Sequence, residues 1–278
     1  SKFYLVCPYS FNSGNPRFES DSALYYVKDS PHTGESIRFR KLNSKFLYDK
    51  KIEDTVYCQS FAGEDGNLYY NSLELYGNSR LYYDLKKSGK ESASVRKKRS
   101  SWIDVKNGKV CMISEDAGKY VLSVCGSDFK NEKILLESFV QISHCRFSPD
   151  GKKIAYSMRD KENQGKTVIA VLNIEDLKVS KYSIRGSFCM FPAWKNDSEL
   201  VFSSDRTGIF NLYELKIKSG TASRLTNLLT GAFSSDVSPN GNKLAFTVFG
   251  DGGYGVGIMN YYPHSVSAVS ENSKCQLI

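Results

Sequence analysis

Short polar turns, each followed by a run of apolar residues, recur along the chain at a nearly constant spacing. The segments 147–157 (Phe147-Ser148-Pro149-Asp150-Gly151 through Ser157) and 237–247 (Val237-Ser238-Pro239-Asn240-Gly241 through Thr247) share one pattern. Segments 16–26 and 192–202 share a second, in which Asp21-Ser22 and Asp197-Ser198 occupy the turn. A copy of the first pattern surrounds Asp65-Gly66, and the weakest copy surrounds Asn107-Gly108. The first apolar residue after each turn gives the series Leu24, Leu68, Val110, Ile154, Leu200 and Leu244, at intervals of 44, 42, 44, 46 and 44 residues. A repeat of about 40 to 50 residues marks a solenoid, a propeller or an array.

Local chemistry makes each unit a sheet. Proline pre-sets the first central position of a turn, Asp or Asn suits the next, and Gly supplies positive φ, so Ser-Pro-Asp-Gly joins two antiparallel strands tightly. The run that follows, such as Lys243 through Phe249, is almost continuously apolar. A strand of that kind is covered on both faces. Small sheets meet this demand when they are arranged radially, each packed between its neighbours, with the ring closed. The expectation is an all-β fold, a six-bladed β-propeller of four-stranded antiparallel blades forming a single domain over 1–278, with blade boundaries near 57, 100, 143, 190 and 233. Phe3 through Val6 precedes the first unit and is too apolar to hang free, so it is expected to pair with the last blade near 266–269.

Composition adds little that is specific. The 18 Tyr and 16 Phe favour strands, and no apolar stretch reaches the length of a membrane span. A signal peptide is not present in the sequence as it stands. The seven cysteines lack any C-x-x-C spacing, which makes buried reduced thiols the expected state. Of them only Cys111 and Cys125 look placed to pair, about a hairpin near Gly118. The net charge of +8 favours an acidic partner. Its densest run, Arg96 through Arg99, reads as a solvated loop, and nucleic-acid binding is not expected from it.

Segments 147–157 and 203–213, followed by Ser219-Gly220 and Arg224-Leu225-Thr226, resemble the repeats of the TolB-type propeller, strongly over 140–260 and thinly before. The resemblance implies a six-bladed, periplasmic or envelope-associated module that binds a protein, in that family a peptidoglycan-associated lipoprotein and Tol-system partners. The family's full-length form carries an N-terminal α/β domain, and here the repeat already begins by residue 16. The same repeat also serves in carbohydrate lyases and peptidase-associated propellers, which sets an enzyme or an accessory propeller of an enzyme as the alternative.

Chemistry is sparse. His32, His144 and His264 fall in three different units, so no catalytic set, metal site or cofactor is expected. Gly250-Asp251-Gly252-Gly253-Tyr254-Gly255 spells a dinucleotide fingerprint but runs into a strand, where the phosphate site needs a helix. The candidates for binding are His144, which precedes an inner strand and could face the channel, Arg159, Asp160 and Lys161 in one long charged connection, and Asp205 and Arg206 in the corresponding connection of the next unit. All six are expected on one face, opposite the tight turns.

Overall fold

The computed structural model of the chain describes residues 2–7, 12–42, 49–55, 57–76, 80–88, 93–96, 99–261, 273–274 and 276–277. Among them every regular element is a strand, and the strands form six antiparallel sheets. Blade 1 spans 12–54, blade 2 spans 61–96, blade 3 spans 99–138, blade 4 spans 142–183 and blade 5 spans 189–224, each a sequential meander of four strands. Blade 6 takes three strands from 232–260 and its fourth from Tyr4–Cys7.

The core shows why the strand after each turn is apolar throughout. Six clusters of buried side chains occupy the gaps between neighbouring blades, one gap per cluster, including the gap between blade 6 and blade 1. In blade 4, Ile154 and Tyr156 enter the cluster shared with blade 3, while Ala155 enters the one shared with blade 5. In blade 6, Leu244 and Phe246 face blade 5 and Ala245 faces blade 1. Alternation by two therefore places apolar side chains on both sides of a strand that has a neighbour on both sides. The ring is closed.

The closing strand differs from the sequence expectation. Tyr4 pairs with Ile258 and Leu5 with Gly257, so the partner is Gly253–Asn260, and 266–269 lies outside the described residues. Phe3 explains the choice, since its ring meets Phe246 edge-on at 5.5 Å between centroids. It lies over Gly257, where a Cβ would come within 2.8 Å of it. Blade 6 offers a bed for that ring because Gly257 carries no side chain.

The two turn patterns interlock. In blade 4 the backbone N–H of Asp150 donates to Asp197 Oδ1 of blade 5 at 2.9 Å, and Lys153 Nζ reaches the Asp197 carbonyl at 2.9 Å. In blade 6, Asn240 N–H and Lys243 Nζ make the same two bonds to Asp21 of blade 1, at 2.8 and 2.9 Å. Each Pro-Asp-Gly or Pro-Asn-Gly turn is thus stapled to an Asp-Ser turn beside it.

Cys7, Cys58, Cys111, Cys145 and Cys189 are buried free thiols, Cys125 is buried as well, and Cys275 lies outside the described residues. The one pair that looked possible from the sequence, Cys111 with Cys125, is not made. Cys111 stands opposite Val124, and Cys125 stands opposite Val110, so the two thiols point to opposite faces of blade 3. Cys111 packs toward blade 4 with Cys145, Cys125 toward blade 2 with Phe129. The glycine-rich segment 250–255 is the hairpin between Lys243–Gly250 and Gly253–Asn260, with no helix after it.

Candidate functional site at the channel mouth

The first strands of the blades surround the channel, and their register defines a layer of side chains across it. The residue opposite the position after each repeat marker is Arg17, Ala62, Asp104, Arg146, Ala193 and Asp236 for blades 1 to 6 in turn. The order Arg, Ala, Asp therefore occurs twice around the ring. Asp104 Oδ2 accepts the Phe147 N–H of the next blade at 2.8 Å, and Asp236 Oδ2 accepts the Phe18 N–H across the closure at 2.7 Å. Arg146 reaches past blade 5 to bond Asp236, and its Nε lies 3.8 Å from Asp104.

Burial dominates the electrostatics of this layer. It pushes the carboxyls of Asp104 and Asp236 up to about 6, against the opposing pull of the Arg17 charge and of the backbone N–H groups they accept. Arg17, Asp104, Arg146 and Asp236 thus set four charges of two signs at this level, with Arg146 and the two Asp residues bonded to one another or to the backbone.

A second ring sits above this floor, and its geometry comes from bulges. Register slips between Gly14 and Arg17, Ser143 and Arg146, Met190 and Ala193, and Phe233 and Asp236 place one extra residue at the same point of blades 1, 4, 5 and 6. There Asn15, His144, Phe191 and Ser234 take positive φ of 51°, 58°, 58° and 46°. A bulge re-aims a side chain, and these four line a pocket together with Gln59 and Ser60 of the approach to blade 2, Trp102 of blade 3, Ser235, and the floor residues Arg17 and Arg146.

The ring has two unlike halves. Across blades 3 to 5, Trp102, His144 and Phe191 meet in series, with centroids 3.9 and 4.1 Å apart and each pair of rings tilted by 53°. Across blades 6, 1 and 2 the lining is Ser234, Asn15 and Gln59, with Ser234 Oγ donating to Asn15 Oδ1 at 2.7 Å.

His144 is held neutral, since burial and the nearby Arg17 charge push its pKa down to about 3. Its Nδ1 lies 2.9 Å from Ser143 Oγ and 3.1 Å from Ser157 Oγ, and Ser157 Oγ also accepts the Phe191 N–H at 3.2 Å. Ser157 Oγ keeps a second lone pair and its own proton, so it can serve Nδ1 as acceptor or as donor. Three polar atoms at the pocket are buried without a hydrogen-bond partner: Arg17 Nη1, Gln59 Oε1 and Ser235 Oγ.

The other sequence candidates do not line this pocket. Arg159 Nε donates to Gly165 O at 3.0 Å within its own connection. Asp160 is buried, with Lys181 Nζ at 3.0 Å and the Glu162 N–H at 2.8 Å, and Lys161 is exposed. Asp205 Oδ1 accepts the Phe188 N–H at 2.7 Å, in the connection that leads into the inner strand of blade 5. From the blade 4 connection Asn163 bonds Gly186 and Ser187 in that same segment, at 3.0 Å each. These loops form a bonded shelf leading to Phe191. Arg206 stands in the same shelf, partly exposed. His144 alone of the six lies in the pocket.

Among the described residues no group of three or more His, Cys, Asp or Glu could hold a metal ion, and no helix is long and apolar enough to cross a membrane.

Comparison with known proteins agrees with the repeat. Residues 99–276 match the family model of the TolB β-propeller domain. A TolB homologue of Chlorobium luteolum is 35% identical over 75 residues, which are 27% of this chain and 17% of that protein. The solved TolB of Acinetobacter baumannii superposes with a TM-score of 0.60 over 93% of this chain and 66% of that one, at 14% identity. An oligogalacturonate lyase of Vibrio parahaemolyticus superposes with a TM-score of 0.57, covering 95% and 94% of the two chains, also at 14% identity. At such identities the two structures speak for the fold alone.

Proposed function

Since the chain belongs to the TolB β-propeller family, we propose that it is a non-catalytic binding module whose channel-mouth face receives a protein partner in the cell envelope or periplasm. The observation that carries this reading is the mouth itself, a half-aromatic, half-polar ring with buried polar atoms left unpaired above a charged floor. Partner-binding hot spots are enriched in Trp, Tyr and Arg set in pockets, and Trp102, Arg17 and Arg146 stand together here.

The titratable groups of the channel are committed to the scaffold. Asp104 and Asp236 hold backbone amides of neighbouring blades, and His144 is neutral between two rings. General acid–base work needs a group poised and free to exchange a proton with a substrate, so this arrangement favours recognition over the lyase or peptidase chemistry found elsewhere on the fold. The net charge of +8 suits an acidic envelope lipoprotein as the partner.

The test is surface plasmon resonance against the soluble domain of the peptidoglycan-associated lipoprotein of the same organism. Trp102→Ala is expected to weaken binding by about tenfold or more, the loss typical of a central aromatic anchor. Replacing Arg159 and Arg206 together is expected to slow association and reduce its salt dependence. Lys152→Ala, on the opposite, turn-bearing face, should leave both constants unchanged. Equal losses from the two faces, or no binding by the unaltered protein, would overturn the reading.

A further inference from the structure

The pocket above the floor is narrow. Its volume is about 20 Å³, where a single water needs at least about 10 to 15 Å³. That is room for the head group of a ligand, while the rest of the ligand must lie outside on the mouth.

The unpaired groups set what that head group must be. A guanidinium can only donate, and Arg17 Nη1 is buried with no acceptor. Arg146, the equivalent residue of blade 4, spends its charge on Asp236 and stands close to Asp104; Arg17 is the member of the pair left with a vacant N–H. Beside it, Ser235 is 3% exposed and its Oγ also lacks a partner. Its hydroxyl can donate by rotation. The Gln59 amide, whose oxygen is unpartnered where it stands, can turn its nitrogen toward the pocket it lines. The three line one pocket, one of them is cationic, and charge-assisted bonds of that type are about twice as strong as neutral ones.

Resting on the binding-module reading above, we propose that the channel mouth is a carboxylate subsite: Arg17 Nη1 and Ser235 Oγ hold the carboxylate of an acidic side chain of the partner protein, and the Trp102–His144–Phe191 wall packs against its methylenes. The neutral state of His144 fits this role, because the wall then offers ring faces to a hydrocarbon stem and leaves the anion to Arg17. A partner-borne source follows from the small volume, which admits a head group and leaves the remainder on the face.

The probes are sodium acetate, acetamide, sodium chloride and two peptides alike except for a single central Glu or Gln. The signal is Trp102 fluorescence, assigned by its loss in Trp102→Phe, with Trp194 as the internal background. Acetate is expected to give a saturable change that acetamide and chloride do not, and the Glu peptide, not the Gln peptide, is expected to displace acetate. Arg17→Gln should lower acetate affinity at least about tenfold, and Ser235→Ala should lower it severalfold. Arg17→Lys keeps the charge and loses the planar fork, so an intermediate loss is expected; it also serves as the folded control should Arg17→Gln not fold.

A response to chloride equal to that to acetate, or one unchanged in both Arg17 variants, would overturn the subsite. Acetate binding without displacement by the Glu peptide would overturn the partner-borne source, since the site would then take a free small acid. Loss of the acetate effect while Trp102→Ala still impairs lipoprotein capture would remove the subsite and leave the binding module standing. Carboxylate binding without any lipoprotein capture would do the reverse.

Discussion

The floor of the channel and the ring above it are built from neighbouring positions of the same strands, yet they treat the repeat in opposite ways. In the floor the sequence Arg, Ala, Asp runs twice around the ring, and both Asp residues cap the following blade with the same bond. In the ring above, the backbone repeats in four blades, with a bulge and a left-handed residue at the same point. The side chains there are Asn15, His144, Phe191 and Ser234, no two alike. Repetition is kept where the ring must hold together, and is abandoned where a unique surface is needed.

The sharpest way to break the comparison is Asp236→Ala. It leaves the Arg146 charge with Asp104 alone, 3.8 Å from Nε, and strands the Phe18 N–H in a buried site; removing one member of a buried pair costs about 3 to 5 kcal/mol. A shift of that size in the urea unfolding midpoint is the expected result. Adding Arg146→Met on that background should restore part of the loss, because the Arg146 charge is then gone. A loss of under about 1 kcal/mol for Asp236→Ala would mean that the floor does not hold the blades together.

Second in size is the pH dependence of the floor. Asp104 and Asp236 hold their protons more tightly folded, at about 6, than as ordinary carboxyls near 3.8. Their contribution to stability is therefore fully present below about pH 4 and is lost as pH rises through about 6. Carboxyls with lowered values, such as Asp150, Asp160 and Glu199, act in the other direction and below that window. Chemical unfolding between pH 4 and 6.5 should show stability falling with pH, and the slope should flatten in Asp104→Asn/Asp236→Asn. A slope unaffected by that double substitution would separate the floor from the titration.

Smallest is Ser234→Ala in the upper ring, which removes one bond to Asn15 and should cost about 0.5 to 1.5 kcal/mol. The unfolding midpoint should move little. If it moved as far as in Asp236→Ala, the contrast between the two layers would fail.

How much of this was legible before folding follows the same division. The blades, their count of strands and their boundaries could be read because turn chemistry and apolar runs are local, and Leu24, Leu68, Val110, Ile154, Leu200 and Leu244 carry them openly. The site was not legible in that way. Arg17, Asp104, Arg146 and Asp236 meet only once six inner strands are brought to one axis, and their offset from the turn varies because the bulges insert residues. Counting backward from each marker through the ladder would have exposed the Arg, Ala, Asp series; scanning for histidines found His144 and passed over Trp102 and Phe191, whose aromatic character reads as core. Asp160 and Asp205 looked like recognition residues because they are charged and lie in loops, yet their carboxylates are spent on the Glu162 and Phe188 amides.

The far end of the described chain bears on how the ring comes together in time. Ser273–Lys274 adds to the outer edge of blade 5 beside Thr221–Arg224, and Gln276–Leu277 adds to the outer edge of blade 4 beside Val179–Ser183. Tyr4–Cys7, at the other end of the sequence, waits for Gly253–Asn260. During synthesis Tyr4–Cys7 thus leaves the ribosome with its partner still unmade, and 273–274 and 276–277 join blades 5 and 4, which must already stand side by side. Such distant pairings form late, so the closing strand and the bridging tail should gain hydrogen-exchange protection after the middle blades, and a nascent chain halted before residue 253 would carry an open rim.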